Sequence, residues 1–334
     1  MEKTALIITS ISAPNPVMKS LAEGSLKNNV DFIVIGDTKS PDKFELNGCD
    51  FYSYEEQLKL KFKFAKEVPT RHYGRKNIGY LLAIQNGAEL MLETDDDNFP
   101  RASFWADRNI QQKSAVSEGD YWLNTYTYFT DKFIWPRGFS LEHLQQIQPA
   151  KDSFPIKDII SPIQQGLADE NPDVDAMFRL SYPLPVSFEK DFNLALGKGS
   201  WCPFNSQNTT WFKEAFPLMY LPSYCSFRMT DIWRSFIAQR ILWENNWHLL
   251  FHNSTVWQDR NEHNLMKDFE DEIPGYLNND RIVKTLEDLD IKSGEQYLSD
   301  NVIKCYQALV DMELVGKDEI KLIHSWYEDL ASIN

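Results

Sequence analysis

Three apolar runs near the start of the chain alternate with helical segments, and this alternation constrains the fold more than any other feature. The runs cover residues 4–11, 31–35 and 88–94, and helices are predicted after Asn15 and over 77–85. Short continuous apolar runs of this kind are typical of strands that are buried on both faces. The β-α-β-α-β order predicts a parallel, doubly wound sheet with its site at the carboxyl ends of the strands.

The rest of the chain divides into a less regular middle and a helical end. Prolines recur through residues 100–200 and predict long loops and short strands that shape a cleft. The segment 231–244 has the apolar stripe of an amphipathic helix, and a strand is predicted after it. Helical periodicity then dominates to the end of the sequence. We therefore expect a main α/β domain over residues 1–270 and a C-terminal helical extension over 271–334.

Composition and charge exclude several classes of protein. The chain has 334 residues, 43% of them hydrophobic, and a formal charge of −15. This apolar content excludes a disordered acidic protein, and the net negative charge argues against nucleic acid as a partner. No apolar segment approaches the ~20 residues that span a bilayer, and no signal peptide is visible. We expect a cytoplasmic protein without a transmembrane segment, associated with a membrane only peripherally if at all.

Three consecutive aspartates, Asp95, Asp96 and Asp97, directly follow the third apolar run. In an extended chain the first and the third side chains point to the same side. Two converging carboxylates repel each other unless a hard cation neutralises them, and Mg²⁺ or Mn²⁺ does so while keeping positions open for substrate phosphates. The aspartates therefore predict a Mn²⁺ or Mg²⁺ site, and the alternative is a solvated acidic turn.

Basic residues cluster just upstream of this triplet. Arg71, His72, Arg75 and Lys76 precede the helix that is predicted to start near Asn77. A helix N-terminus flanked by cations is a suitable site for a diphosphate. The alternative is an ordinary solvated helix start with surface bases.

Longer motifs connect the chain with a known family. They are GRKNIGYLLAIQNGA at 74–88, ETDDDN at 93–98, CPFNSQNT at 202–209, TDIWRSFIAQRILWE at 230–244 and RNEHN at 260–264. Through them the sequence resembles the STELLO-type glycosyltransferases over most of residues 1–270, whereas the block after 271 carries no motif of this resemblance. The resemblance implies a GT-A-like fold, in which a Rossmann-type mixed sheet flanked by helices binds a nucleotide-sugar and a DxD motif holds a metal ion.

The resemblance also assigns residues by position. Asp95 and Asp97 match the metal motif, and Asp96 is expected at the ribose or the sugar of the donor. The ends of the first two strands contact the nucleobase and the ribose in such a fold, although Asp37 is equally plausible as a turn residue. The predicted donor-binding residues are Thr9, Ser10, Asp37, Arg75, Lys76, Asn77, Asp95 and Asp96.

An inverting transferase needs a carboxylate that takes the proton of the acceptor hydroxyl. Asp231 is the candidate, since it begins a helix within a motif rich in Trp and Arg; the alternative is that it caps this helix. Asp259 and Glu262 are held in reserve, and a retaining enzyme needs no such base. His263 suits a third metal ligand.

The sugar and acceptor side is predicted from neutral hydrogen-bonding groups, an aromatic ring and one cation. Amide and hydroxyl side chains read sugar hydroxyls, indole faces stack on sugar rings, and arginine neutralises diphosphate charge. The residues are Trp201, Asn205, Ser206, Gln207 and Arg260.

The leading hypothesis is a metal-dependent glycosyltransferase that moves a sugar from a nucleoside-diphosphate sugar, UDP-sugar favoured, to a glycan, a lipid-linked glycan or another hydroxyl acceptor. A nucleotidyltransferase shares the sheet and the acidic site, but TSISAPNP stands where a GxGxR start is expected. A non-catalytic nucleotide-sugar-binding partner is the third hypothesis. In each case the site must be a local exception to the charge of −15.

Overall fold

The computed structural model describes residues 2–119, 121–260 and 264–333. The strands in chain order are β1 (Thr4–Thr9), β2 (Asp31–Ile35), β3 (Asp50–Tyr52), β4 (Leu90–Thr94), β5 (Asn98–Pro100), β6 (Gln111–Ser117), β7 (Tyr121–Trp122), β8 (Ile156–Ile160), β9 (Ile163–Asp169), β10 (Leu194–Leu196), β11 (Ser200–Trp201), β12 (Asn208–Phe212) and β13 (Leu249–Gln258). The α-helices are α1 (Pro16–Asn28), α2 (Tyr54–Lys59), α3 (Phe64–Glu67), α4 (Lys76–Gln85), α5 (Ala176–Ser181), α6 (Thr230–Glu244), α7 (Leu265–Glu287), α8 (Leu298–Asp311) and α9 (Asp318–Ile333).

Within the described residues the main sheet has eleven strands, in the order β3-β2-β1-β4-β12-β9-β13-β10-β6-β8, with β5 paired to β13. β1 pairs in parallel with β2 and β4, and β2 with β3. β12 is antiparallel to both β4 and β9, whereas β13 is parallel to β9. The carboxyl ends of β2, β1, β4, β9 and β13 therefore share one edge of the sheet. The predicted Rossmann-type mixed sheet with flanking helices is confirmed.

Local sequence explains how α1 and α4 are placed against the sheet. The Asn15 side chain accepts a hydrogen bond of 2.8 Å from the N–H of Met18, and Pro16 occupies the first turn of α1. Gly79 lets α4 approach the sheet closely, because a Cβ at this position would lie 2.6 Å from the Ile7 side chain. Lys76, the first residue of α4, donates to the carbonyl of Thr94 at 2.7 Å, which holds the N-terminus of α4 next to the end of β4.

The C-terminal helices pack into the same core as the sheet. α7 starts at Leu265 and crosses the predicted boundary between residues 270 and 271 without a break. α7, α8 and α9 contribute Ile282, Leu309 and Trp326 to the same core cluster as the sheet. No helix in the described part of the chain is both long enough and apolar enough to cross a bilayer.

Two buried carboxylates of α9 bind segments that lead to the sheet edge. Asp329 accepts the backbone N–H of Lys63 at 2.9 Å and that of Phe64 at 2.7 Å. Glu319 accepts the Tyr220 hydroxyl and the N–H groups of Ser223, at 2.8 Å, and Tyr224, at 2.6 Å. Burial raises the pKa of Glu319 to about 7 against these hydrogen bonds, which favour the charged form.

We predict a pH-dependent stability that originates at Glu319. Its pKa is about 7 in the folded chain against an ordinary 4.5, so the folded state binds the proton more tightly. The contribution of Glu319 to the free energy of unfolding is therefore largest below pH ~4.5 and falls by roughly 3 kcal/mol as the pH rises through ~7. Urea unfolding across this range measures it.

Glu319→Gln tests the assignment, because the amide still accepts from the two N–H groups and donates to Tyr220 but does not titrate. This variant is expected to fold and to lose that part of the pH dependence. Glu328→Gln is the matched control on the same helix, since the Glu328 side chain is 60% exposed and should leave the wild-type slope intact. An unchanged slope in Glu319→Gln would contradict the prediction.

Candidate functional site

A cleft of about 460 Å³ follows the carboxyl edge of the sheet. Residues after β1, β2 and β4 line it on one side, and residues after β9 and β13 line it on the other. Of the described residues that line the cleft, seven are lysine or arginine and six are aspartate. The cleft is thus slightly basic in a chain whose formal charge is −15.

Asp95 sits at the end of β4 between a phenol and an ammonium group. Its Oδ1 accepts a hydrogen bond from the Tyr73 hydroxyl at 2.7 Å and lies 3.3 Å from Lys76 Nζ. Lys76 is fully buried and also donates to the carbonyl of Thr94 at 2.7 Å. Burial raises the pKa of Asp95 to about 6, and the charge of Asp97 adds to this rise while Lys76 opposes it.

Asp96 and Asp97 connect the triplet to neighbouring elements. The Asp96 carboxylate accepts from the Ser10 hydroxyl after β1, and its backbone carbonyl accepts from Asn15 Nδ2 at 2.8 Å. Asp97 Oδ2 accepts from Gln258 Nε2 at 3.0 Å. Burial raises the pKa of Asp96 as well, with a further contribution from Asp97. A cation held between these carboxylates would lower both raised pKa values.

Asp231, in the first turn of α6, forms a buried ion pair across the cleft. Its two oxygens accept from Arg137 at 3.1 and 2.9 Å, and its Oδ2 accepts from both the N–H and the hydroxyl of Ser206 at 3.1 Å. Burial would raise the pKa of Asp231, but the Arg137 guanidinium holds it well below its usual range. The carboxylate is therefore ionised and is bound to Arg137 and Ser206 rather than to the helix N-terminus.

Arg137 joins Asp231 to a second carboxylate. Its Nε and Nη2 donate to Asp173 at 2.8 and 2.9 Å, and its Nη1 donates to the carbonyl of Arg228. Asp173 follows β9, so the guanidinium connects the β9 end of the cleft with α6. The charge of Arg137 is shared between two aspartates.

A chain of hydrogen bonds links the two acidic centres. The Tyr73 hydroxyl lies 2.7 Å from both Asp95 Oδ1 and Ser206 Oγ. Ser206 Oγ in turn donates to Asp231. Lys76 Nζ donates to the Tyr73 oxygen at 2.7 Å, so this phenol is oriented from behind.

Most of the residues predicted from the sequence lie together at this cleft. The residues that line it are Thr9, Ser10, Asp37, Arg75, Asp95, Asp96, Asp97, Ser206, Gln207, Asp231 and Arg260. Lys76 lies directly behind Asp95. His263 and Glu262 lie outside the described residues. Asp259 has an exposed side chain and donates its backbone N–H to the Asp97 carbonyl at 2.9 Å.

Besides Lys76, three predicted residues are placed in the interior instead. Trp201 is buried, packs against Trp243 and donates its indole N–H to Glu287 at 2.6 Å, so its ring is a core element and not a stacking surface. Asn77 is buried and bonds the backbone of Leu221 at 2.8 and 2.9 Å. Asn205 is buried behind the cleft and accepts from the N–H of Gln207 at 3.0 Å.

Sequence reasoning missed several cleft residues. They are Tyr73, Arg137, Asp173, Arg179, Arg228 and Gln258. Tyr73 lies within the basic segment that precedes α4, and this position in the sequence is the only indication that its side chain belongs to the cleft. Arg137 and Asp173 come from the irregular middle of the chain, where no periodicity indicates which side chains turn towards the sheet edge.

The metal prediction rests on two aspartates in the described structure. No group of three or more His, Cys, Asp or Glu side chains is placed to hold a metal ion within residues 2–119, 121–260 and 264–333. The predicted third ligand, His263, is not among these residues. Two carboxylates and solvent are still a common arrangement for Mg²⁺.

We predict that Arg137→Gln lowers the free energy of unfolding by about 3–5 kcal/mol, because it leaves the buried Asp231 and the partly buried Asp173 without their cation. Urea unfolding at pH 7 measures the loss. Arg101→Gln is the matched control: Arg101 pairs with Asp169, is 44% exposed and should cost less than ~1 kcal/mol. Equal losses in both variants would contradict the assigned role of Arg137.

The chain is similar to members of one protein family over most of its length. The profile of the STELLO glycosyltransferases matches residues 228–334, which includes the C-terminal helices that the sequence motifs left unassigned. Two proteins of Arabidopsis thaliana, Probable glycosyltransferase STELLO2 and Probable glycosyltransferase STELLO1, are each 26% identical, over 90% and 98% of this chain. The chain spans only 41% and 44% of the length of these relatives.

Two solved structures show remote likeness. "Crystal Structure of a Mycobacterial Protein" aligns with a TM-score of 0.44 and 11% identity, covering 83% of this chain and 74% of that chain. "Crystal structure of M. tuberculosis glucosyl-3-phosphoglycerate synthase" aligns with a TM-score of 0.39 and 12% identity, covering 86% and 79%. The resemblance predicted from the motifs is confirmed: residues 228–334 match the profile of the STELLO glycosyltransferases, and most of the chain is similar to the two plant proteins.

Proposed function

We propose that the chain is a metal-dependent glycosyltransferase that moves a sugar from a nucleoside-diphosphate sugar to a hydroxyl acceptor. One observation carries the proposal: Asp95 and Asp97 open into a slightly basic cleft that crosses the carboxyl ends of β1, β2 and β4. In open α/β sheets ligands bind at this edge. The relation to the STELLO glycosyltransferases supports the same class of reaction.

The nucleoside is proposed to lie at the ends of β1 and β2. Thr9, Ser10 and Asp37 line this end of the cleft. The Asp37 carboxylate accepts from the N–H of Thr38 at 2.6 Å and of His72 at 3.3 Å, so it is fixed in place for a ribose hydroxyl. A UDP-sugar remains the favoured donor from the sequence.

A Mg²⁺ or Mn²⁺ ion is proposed at Asp95 and Asp97, with His263 as the third ligand suggested by the sequence. The donor set fits: both side chains offer hard oxygen ligands, and the pKa of Asp95 is raised partly by the neighbouring Asp97 charge, which a cation would offset. Such an ion supplies charge neutralisation for a diphosphate leaving group. Lys76 orients Asp95 from behind, whereas Ser206 and Gln207 offer hydrogen bonds to the sugar.

The deciding experiment is a panel of nucleotide sugars, measured for binding and for turnover with Mn²⁺ and with a chelator. Asp95→Asn and Asp97→Asn are each expected to weaken donor binding with metal by about tenfold or more and to abolish turnover, because each removes a charged ligand. Asp131→Asn is the matched control, since the Asp131 side chain is 92% exposed and lies outside the cleft.

The outcomes separate the proposal from its alternatives. Donor binding that is indifferent to both substitutions, or no binding of any nucleotide sugar, would overturn it. Binding without turnover would identify a non-catalytic partner, and release of pyrophosphate from a nucleoside triphosphate would identify a nucleotidyltransferase. The glycan or lipid-linked glycan acceptor and the cytoplasmic location stay predictions from the sequence.

Asp231 is proposed as the base of an inverting transfer. It lines the cleft, it is ionised, and Arg137 and Ser206 fix its orientation. The depressed pKa of Asp231 makes this carboxylate a weak base in the free protein.

We expect Asp231→Asn to retain donor affinity and to abolish transfer, measured as product formation with a saturating donor. Asp173→Asn removes the other carboxylate of Arg137, keeps Asp231 and should retain measurable transfer. Transfer by Asp231→Asn at the rate of Asp173→Asn would reject the role and favour another base or a retaining reaction.

A further inference from the structure

Three arginines line the cleft at the end that lies farthest, in strand order, from Asp37. Arg179 belongs to α5, Arg228 precedes α6, and Arg260 follows β13. Burial lowers the pKa of Arg179 to about 9, and the positive charges of Arg260 and Arg228 lower it further than Asp173 and Glu272 raise it. These residues, Arg179, Arg228 and Arg260, are called the arginine cluster below.

The members of the arginine cluster differ in how their charges are compensated. Arg228 donates to Glu272 at 3.0 and 2.9 Å, and Arg260 donates to Asp268 at 2.9 Å. Arg179 has no ion pair with any described residue. Asp173, whose charge acts on Arg179, accepts hydrogen bonds from Nε and Nη2 of Arg137 instead.

The hydrogen bonds of Arg179 go to neutral oxygens. It donates to the carbonyls of Val174 at 3.3 Å and Pro172 at 2.8 Å, and to Asn171 Oδ1 at 3.4 Å. These bonds use three of the five N–H groups of a guanidinium. Among the described residues, two donors of Arg179 are therefore left without a hydrogen-bond partner on a side chain that lines the cleft.

We propose that the arginine cluster binds a phosphate group carried by the acceptor. Planar guanidinium groups bind phosphate in a bidentate manner, and an anion between three of them offsets their mutual repulsion. This proposal deepens the proposed function. Its assignment of the phosphate to the acceptor rests on the proposed glycosyltransferase function, whereas the existence of an anion subsite does not.

The position of the arginine cluster in the sheet is the reason for assigning the bound phosphate to the acceptor and not to the donor. The donor diphosphate is proposed beside Asp95 and Asp97 at the end of β4, with the nucleoside towards β1 and β2. Arg179 follows β9. In the sheet β9 lies two strands from β4, on the side of β4 that faces away from β1 and β2, so β4 and β9 are about 10 Å apart at ~4.8 Å per strand. Arg137 donates to both Asp173 and Asp231, the proposed base. Since Asp173 and Arg179 both follow β9, Asp231 lies on the same side of the cleft as Arg179.

Inorganic phosphate is the probe, titrated calorimetrically into the full chain with and without a saturating nucleoside diphosphate and Mn²⁺. Phosphate is expected to bind the nucleotide-loaded protein, and Arg179→Gln is expected to weaken it about tenfold or more while the nucleotide affinity stays the same. Arg260→Gln provides a second variant if Arg179→Gln does not fold. Arg101→Gln, an arginine outside the cleft, should bind phosphate as the wild type does.

Turnover measurements test whether the bound phosphate belongs to the acceptor. Among hydroxyl acceptors offered with and without a phosphate monoester, the phosphorylated ones should have the lower KM, and Arg179→Gln should raise KM for those alone. If phosphate competes with the nucleotide and Arg179→Gln weakens nucleotide binding, the cluster binds the donor diphosphate and the assignment is overturned. It is equally overturned if phosphate does not bind.

A failure of the proposed function gives a different pattern. In that case no nucleotide sugar binds to the wild type, with or without metal. Phosphate binding that depends on Arg179 would then still support the anion subsite, whereas phosphate binding that is indifferent to Arg179→Gln would reject it. The two proposals are thus decided by separate measurements.

Discussion

The site depends on a buried ion pair between Glu93 and Arg234. Arg234, in α6, donates to both oxygens of Glu93 at 3.1 Å, and Trp211 Nε1 donates to the same carboxylate at 2.9 Å. Lys76 Nζ lies 3.7 Å away. The pair therefore joins β4, α6, β12 and α4, which carry or support Asp95, Asp231 and the Ser206 segment. Since a buried charge without its partner costs about 3–5 kcal/mol, these elements hold one relative arrangement.

The C-terminal helices extend this constraint from the far side of the molecule. Glu319 fixes the segment that leads into α6, and Asp329 fixes the start of α3 ahead of the basic segment at α4. The family profile covers these helices together with α6, in agreement with their packing in one core. The extension is therefore part of what positions the cleft, although no described residue after Arg260 lines it.

The sequence predicts the parts of the structure whose cause is local. β2 covers Asp31–Ile35 as predicted, and the triplet follows β4, because apolar runs and their polar ends report burial directly. α7 begins at Leu265 and continues through Pro274 and Gly275, and a Cβ at Gly275 would lie 2.2 Å from the Met229 side chain, so the glycine permits a close contact that no local pattern indicates. Arg137 and Asp231 are 94 residues apart, and no local pattern indicates such a pair.

The same distinction explains the chemistry of the cleft. Burial next to Asp97 raises the pKa of Asp95, whereas Arg137 depresses that of Asp231, and opposite displacements of two carboxylates are typical of sites that assign them different tasks. Tyr73 has one hydroxyl hydrogen and two acceptors, Asp95 and Ser206, so it donates to only one of them at a time. Any change in the charge of Asp95 therefore alters the hydrogen bond available to Ser206 and, through it, the environment of Asp231. The proposed metal side and the proposed acceptor side of the cleft are therefore parts of one hydrogen-bond network.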